Sequence, residues 1–177
     1  MSIDTTRDFI ALRIAVLTIS DTRDEKTDKS GNLLASMISD AGHQVVEQAI
    51  VPDEVKKIRK QVKKWIKAPE IDVVISTGGT GFAPRDVTPD AVKPLFEKEI
   101  DGFSVLFHLV SHKTIGTSTV QSRACAGQAD GTLIFCLPGS PGACKDGWNG
   151  ILKDQLDNRH RPCSFIEVIP RLMKQEG

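Results

Sequence analysis

Three short apolar runs, each closing on a loop of unusual composition, limit the possible folds of this chain more than any other feature. Residues 12–19 read LRIAVLTI, apolar and β-branched, and stop at Ser20-Asp21. Residues 72–76 lead into Thr77-Gly78-Gly79-Thr80-Gly81, and residues 132–137 into Pro138-Gly139-Ser140-Pro141-Gly142. Runs of this length and composition predict buried strands. Between them lie segments of helical spacing: Leu33, Leu34, Met37 and Ile38 before Gly42, and Val55, Ile58, Val62, Trp65 and Ile66 after Pro52-Asp53. Residues 43–51 read as a further strand. The alternation predicts an α/β layered domain around a mainly parallel sheet. In such a sheet the loops at the carboxyl ends of the strands gather on one edge, where ligands bind. The three loops are expected to share that edge.

The remaining helices are less sharply marked. Thr88-Pro89-Asp90 predicts a helix start, with Thr88 as N-cap, Pro89 as first helical residue and Asp90 as first-turn acid. Residues 103–110 predict another helix, and residues 143–156 a last long one capped by Ser140. Residues 117–127 mix the two patterns. The tail with Arg161-Pro162-Cys163 predicts irregular structure.

Length bears on organisation. A chain of 177 residues suits a single domain over 1–177, with a short N-terminal arm (1–10) and a C-terminal tail (157–177). It buries enough surface to need no disulfide or metal staple. Lys plus Arg total 23 and Asp plus Glu total 23, so a broadly basic nucleic-acid surface is excluded, while a local anion pocket is not. No run of about 18 apolar residues is present to span a membrane. Residues 1–7 lack the apolar core of a secretion signal. Cys125, Cys136, Cys144 and Cys163 form no C-x-x-C pair, which predicts buried thiols in a reducing cytoplasm. Seven cations between Lys56 and Lys67 predict a solvated helix face. The histidines at 43, 108, 112 and 160 do not cluster, and are expected to be structural or superficial.

The chemistry concentrates in the loops. Residues 77–81 are neither a Walker sequence nor G-x-G-x-x-G, yet glycines let backbone N–H groups approach an anion. A tight strand-to-helix turn explains them equally. Pro138, Gly139 and Ser140 suit a well-made helix start, whose free N–H groups also favour an anion. Asp53 fits either an N-cap or a site role. Asp86 lies outside any capping position, beside Arg85, and a carboxylate there suits Mg²⁺ held against phosphate oxygens. Asp21 and Asp28 suit the same task. Arg123 carries a planar fork matched to phosphate, with Ser122 and Ser111 as further polar candidates.

Taken in order, these motifs resemble the MoaB/MogA family of molybdenum cofactor biosynthesis proteins. The resemblance rests on Ser20-Asp21, Asp28-Lys29-Ser30-Gly31, Val51-Pro52-Asp53, the block TGGTGFAPRDVTPD over residues 77–90, Ser122-Arg123-Ala124, Ala126-Gly127 and Pro138-Gly139-Ser140-Pro141. The segment IGTSTVQSRA over 115–124 and the ending from Gln155 to Phe165 are similar to the MoaB branch. The resemblance implies a three-layer α/β/α sandwich and a homo-oligomer, trimer or hexamer. It also implies adenylylation: AMP passes from Mg-ATP to the terminal phosphate of molybdopterin, and the product goes to a molybdenum-insertion protein. Carried over by position, Asp53 and Asp86 would be the catalytic and Mg²⁺-holding acids. Gly78, Gly79, Thr80, Gly81, Ser20, Asp21, Pro138, Gly139 and Ser140 would bind the nucleotide and its phosphates. Ser111, Ser122 and Arg123 would contact molybdopterin. The alternatives are a non-catalytic molybdopterin-binding or scaffold protein of the same pathway, and a metal-dependent phosphoesterase. The absence of histidine clusters with metal-ligand spacing disfavours the phosphoesterase.

Overall fold

The computed structural model describes residues 3–169. In chain order its elements are β1 (Arg13–Ile19), α1 (Lys29–Asp40), β2 (Gln44–Val51), α2 (Val55–Ile66), β3 (Val73–Thr77), α3 (Thr88–Val92), β4 (Lys98–Glu99), α4 (Asp101–Ile115), β5 (Cys125–Ala129), β6 (Thr132–Leu137), α5 (Pro141–Gly147) and α6 (Lys153–Gln155). One six-stranded sheet has the order β2-β1-β3-β6-β5-β4. β1 pairs in parallel with both β2 and β3, and β3 with β6. β5 and β4 are antiparallel. The mostly parallel sheet is as expected, and its four parallel strands end on one edge.

The pleat divides the core. Successive side chains point to opposite faces, so Ile14 and Val16 of β1, Val73 and Ile75 of β3, and Leu133 and Phe135 of β6 face one way. They pack against Leu34, Ile38, Phe103, Phe107 and Trp148 from α1, α4 and the turn after α5. Ala15, Leu17, Val74 and Ile134 face the other way, onto Ile58, Val62 and Trp65 of α2 and Ala91 and Val92 of α3. Helices therefore cover both faces, which makes the three-layer α/β/α sandwich.

Several local expectations change. Thr88 is the first residue of α3, not its cap. Val87 holds the cap position, and the Thr88 hydroxyl donates to Gly78 O at 2.8 Å. α4 extends to Ile115 and continues as a 3₁₀ turn over Gly116–Gln121. The mixed segment resolves there, and β5 follows it. β5 and β6 form a hairpin through Asp130 and Gly131, both at positive φ (48° and 77°). Asp-Gly is the sequence signature of such a turn. The last helix starts at Pro141 on a Ser140 cap, whose Oγ accepts from Ala143 N at 3.1 Å, and widens to a π-turn over Trp148–Leu152. The arm and the tail pack on each other: Asn158 accepts from Ile10 N and donates to Asp8 O, and Ile3 bridges His160. Residues 170–177 of the tail lie outside the described residues.

Three cysteines are buried as expected; Cys163 is exposed. Burial pushes the Cys144 thiol up to about 11, which leaves it protonated and unreactive at neutral pH. Among the described residues no helix is long and apolar enough to cross a membrane.

His43 has a measurable consequence. Its Nδ1 accepts from Leu12 N at 3.2 Å, and its ring packs against Phe9 and Trp148. Burial lowers its pKa from 6.5 to about 4, against a smaller opposing pull from Asp157. Between those values the unfolded chain binds the extra proton and the folded one does not. The His43 contribution is complete above pH 6.5 and is lost as pH falls towards 4, a span of roughly 2–3 kcal/mol. Urea midpoints between pH 7.5 and 4.5 should fall accordingly in the wild type, and less steeply in His43→Gln.

Candidate functional site

The parallel edge carries four loops: after β1 (Ser20 and Asp21), after β2 (Pro52 and Asp53), after β3 (residues 78–87) and after β6 (Pro138 to Ser140). Their glycines bring them together. Gly78, at φ +109°, lies so close to the end of β1 that a Cβ would stand 2.1 Å from Ile19 O. A Cβ on Gly139 would meet Gly78 Cα at 3.2 Å. The β3 loop thus threads between its two neighbours, where side chains have no room.

Side chains fasten this loop by its carbonyl oxygens. Thr88 Oγ1 donates to Gly78 O, and Thr88 N to Gly79 O at 2.9 Å. Arg123 N donates to Thr80 O at 2.7 Å, and Arg123 Nε to Gly81 O at 2.8 Å. Arg123 Nη2 reaches Asp86 O, and Nη1 pairs with Asp90 at 3.2 Å. The N–H groups of Gly79, Thr80 and Gly81, by contrast, have no protein acceptor among the described residues. The Thr80 hydroxyl is buried and also has none. A loop whose acceptors are occupied and whose donors are free presents positive dipole ends, which suits an anion.

Carboxylates stand beside it. Asp53 precedes α2, but Glu54 holds the cap position and makes no side-chain cap bond. Asp53 is not employed as a cap; its Oδ1 faces Gly79, 2.9 Å from where a Cβ would be. Burial raises the Asp53 carboxyl above the usual carboxylate range, with Asp21 and Asp86 adding to the effect. Asp86 accepts from Ala83 N at 2.7 Å and lies against Gly81. Asp21 Oδ1 accepts from Asp53 N at 3.1 Å, joining the first two loops. Arg85 grips Asp21 bidentately at 2.7 and 2.9 Å, and its guanidinium holds that carboxyl below the usual range. Next to Asp21 opens a cleft of about 920 Å³ between β2 and the loop from Arg23 to Lys26.

Most expected site residues therefore meet on one edge: Ser20, Asp21, Asp53, Gly78, Gly79, Thr80, Gly81, Asp86, Pro138, Gly139 and Ser140. Arg123 reaches them as a clamp on the loop, each of its three guanidinium nitrogens holding one partner. Ser122 Oγ accepts from Ala124 N at 3.2 Å. Ser111 stands apart, buried in α4; its carbonyl accepts from the Thr114 hydroxyl, which also contacts Asp146 of α5 at 2.7 Å. Asp28 caps α1, accepting from Gly31 N at 2.8 Å, and takes the Thr18 hydroxyl at 2.5 Å. Its carboxylate thereby ties the start of α1 to β1. The sequence reading passed over Arg85 and Thr88 as site residues. The signal for Arg85 was its place in the A-P-R-D run, one residue from an acid no cap explains.

Residues 15–158 match the family described as "Probable molybdopterin binding domain". The chain is 49% identical over 158 residues to Molybdenum cofactor biosynthesis protein B of Escherichia coli K12, covering 89% of this chain and 93% of that one. A crystal structure of a Molybdenum cofactor biosynthesis protein B superposes with a TM-score of 0.85 at 37% identity, covering 96% and 100% of the two chains. The tungsten cofactor synthesizing protein MoaB of Pyrococcus furiosus superposes at 0.72 with 36% identity, covering 81% and 92%.

Proposed function

Since the chain belongs to the molybdenum cofactor biosynthesis family with the molybdopterin-binding domain, we propose that it binds molybdopterin and adenylylates that molecule's terminal phosphate with Mg-ATP. The observation that carries this reading is the donor-only loop, Gly79 to Gly81, set beside Asp53 and Asp86 on one edge. A terminal phosphate oxygen would attack the α-phosphorus of ATP. The bond to the bridging oxygen breaks, and pyrophosphate leaves with the electron pair. Such transfers depend on positioning and charge neutralisation and need no covalent nucleophile. The nearby Cys144, its thiol pushed up to about 11 by burial, stays protonated and does not serve as one.

Carboxylate oxygens fit a hard divalent cation. Among the described residues no three metal-binding side chains converge enough to hold one alone. These carboxylates would hold a cation only weakly by themselves, and phosphate oxygens of the nucleotide and water would complete its ligands. Asp53 and Asp86 would hold it, and bound there it would neutralise charge on the reacting phosphates. The loop amides would bind the nucleotide phosphates, with Ser20, Asp21 and the Pro138–Ser140 loop completing the pocket. Arg123 would act on the loop, and Ser111 and Ser122 would lie towards the pterin. The product would pass to a molybdenum-insertion protein in a reducing cytoplasm. Incubation with molybdopterin and Mg-ATP should release pyrophosphate and yield the AMP adduct. Binding of molybdopterin without that product would leave a non-catalytic carrier.

We also place the homo-oligomer contact on α4. The helix buries Phe103, Phe107 and Ser111 but exposes Val105, Leu106 and Leu109, and Ile115 and Val120 extend the apolar surface. Exposed apolar side chains grouped on one helix mark an interface, and a second copy of the chain is the occupant the family resemblance implies. Light scattering should give a trimer or hexamer for the wild type and a smaller species for Leu106→Glu/Leu109→Glu. An unchanged mass in the variant would put the contact elsewhere.

A further inference from the structure

Arg85 has more to do than its surface position suggests. It sits four residues beyond Gly81, on the stretch of the β3 loop from Phe82 to Arg85 that is exposed throughout. Both its contacts are to Asp21, at 2.7 and 2.9 Å. The same Asp21 oxygen accepts from Asp53 N at 3.1 Å. Asp53 in turn faces Gly79, and Asp86 faces Gly81, so the guanidinium and Asp21 form one side of a corner bordered by the Asp53 and Asp86 carboxylates, which act on one another electrostatically. Like charges so close need a counter-charge. Here a side chain supplies it, through an exposed ion pair of a kind that adds little stability and separates readily. A planar fork of this type matches phosphate as well as it matches carboxylate.

We infer that Arg85 is a phosphate-contacting residue held in reserve: it pairs with Asp21 while the corner lacks a divalent cation, and turns onto the nucleotide phosphates when such a cation takes over the carboxylates. This rests on the nucleotide-binding reading above, though not on AMP transfer itself. Each state gives the carboxylates a positive partner, the guanidinium in the free protein and the divalent cation once the nucleotide is bound. The exchange also gives the loop a charged donor to add to the neutral amides of Gly79 to Gly81. The residue that the bridge occupies in the free protein is thus the one the triphosphate would meet.

The test uses the full chain without molybdopterin, and reads Mn²⁺ binding by electron paramagnetic resonance and Mg-ATP binding by calorimetry. Arg85→Gln removes the competing cation, so nucleotide-free protein should bind Mn²⁺ several-fold more tightly while Mg-ATP binds roughly tenfold more weakly. Arg85→Lys keeps the charge and loses the fork, so Mg-ATP affinity should recover only in part. Asp21→Asn/Arg85→Gln restores the wild-type net charge. It should still bind Mg-ATP weakly, whereas a pure charge effect would return wild-type affinity. Wild-type Mg-ATP affinity in Arg85→Gln or in the double variant would overturn the inference, as would unchanged Mn²⁺ binding in Arg85→Gln. Wild-type protein that binds no Mg-ATP would also overturn it. Protein that binds Mg-ATP yet transfers no AMP would sink the transferase reading alone, and the same variants would still decide the role of Arg85.

Discussion

Gly78→Ala is expected to lose a large share of its folding stability, through one added methyl group. The methyl carbon would stand 2.1 Å from the Ile19 carbonyl oxygen, which belongs to the backbone and cannot rotate away. The residue also sits at φ +109°, a conformation that L side chains rarely adopt. Backbone strain of about 1–3 kcal/mol adds to overpacking of about 1–3 kcal/mol. The sum, roughly 2–6 kcal/mol, is a large share of the stability of an ordinary domain. Chemical denaturation would measure it. Gly102→Ala, at a helical glycine with nothing within 4 Å of the new carbon, should instead be neutral or slightly stabilising. Similar losses at both positions would mean that the close passage of the β3 loop past β1 carries no special cost.

The second large effect is on turnover. Asp86→Asn should reduce AMP transfer by about 10²–10³-fold, the usual cost of removing one preorganised electrostatic group. Asparagine keeps the shape, and its oxygen still accepts from Ala83 N, so the turn from Ala83 to Asp86 survives. Asp53→Asn should cost a similar factor. The two losses should not multiply in the double variant, because both residues would serve one cation. Molybdopterin binding should stay within about threefold of wild type, with the thermal midpoint unchanged. Full transfer activity in Asp86→Asn would remove that residue from the mechanism.

Three of the four strands that carry the site, β1, β3 and β6, were legible because each is a continuous apolar run, buried on both faces. β5 was not. Cys125-Ala-Gly-Gln-Ala129 contains no β-branched or aromatic residue, and only the Asp130-Gly131 turn marks it. The extent of α4 was blurred for another reason. Phe103 and Phe107 point to the core while Val105, Leu106 and Leu109 point away, so no single stripe stands out. Within the site, the glycines and acids were visible as loop composition. The clamps were not, since Arg123 acts on Gly81 across 42 positions and Ser30 on Gly139 across 109. Local patterning has no access to such separations. Thr88 was read as a cap because capping is the nearby explanation. Its hydroxyl serves a strand-loop carbonyl ten residues back.

The occupied carbonyls of the β3 loop set how the site should respond to ionic strength. Fixed charges act over about 10 Å in 0.1 M salt and are screened beyond that. Aligned amide dipoles act only at contact, where no ion intervenes. A loop that recognises its anion mainly through N–H groups should hold it in salt that would strip a lysine cradle. Such a site also asks no excess of basic residues from the surface, which agrees with a chain whose 23 cations match its 23 anions.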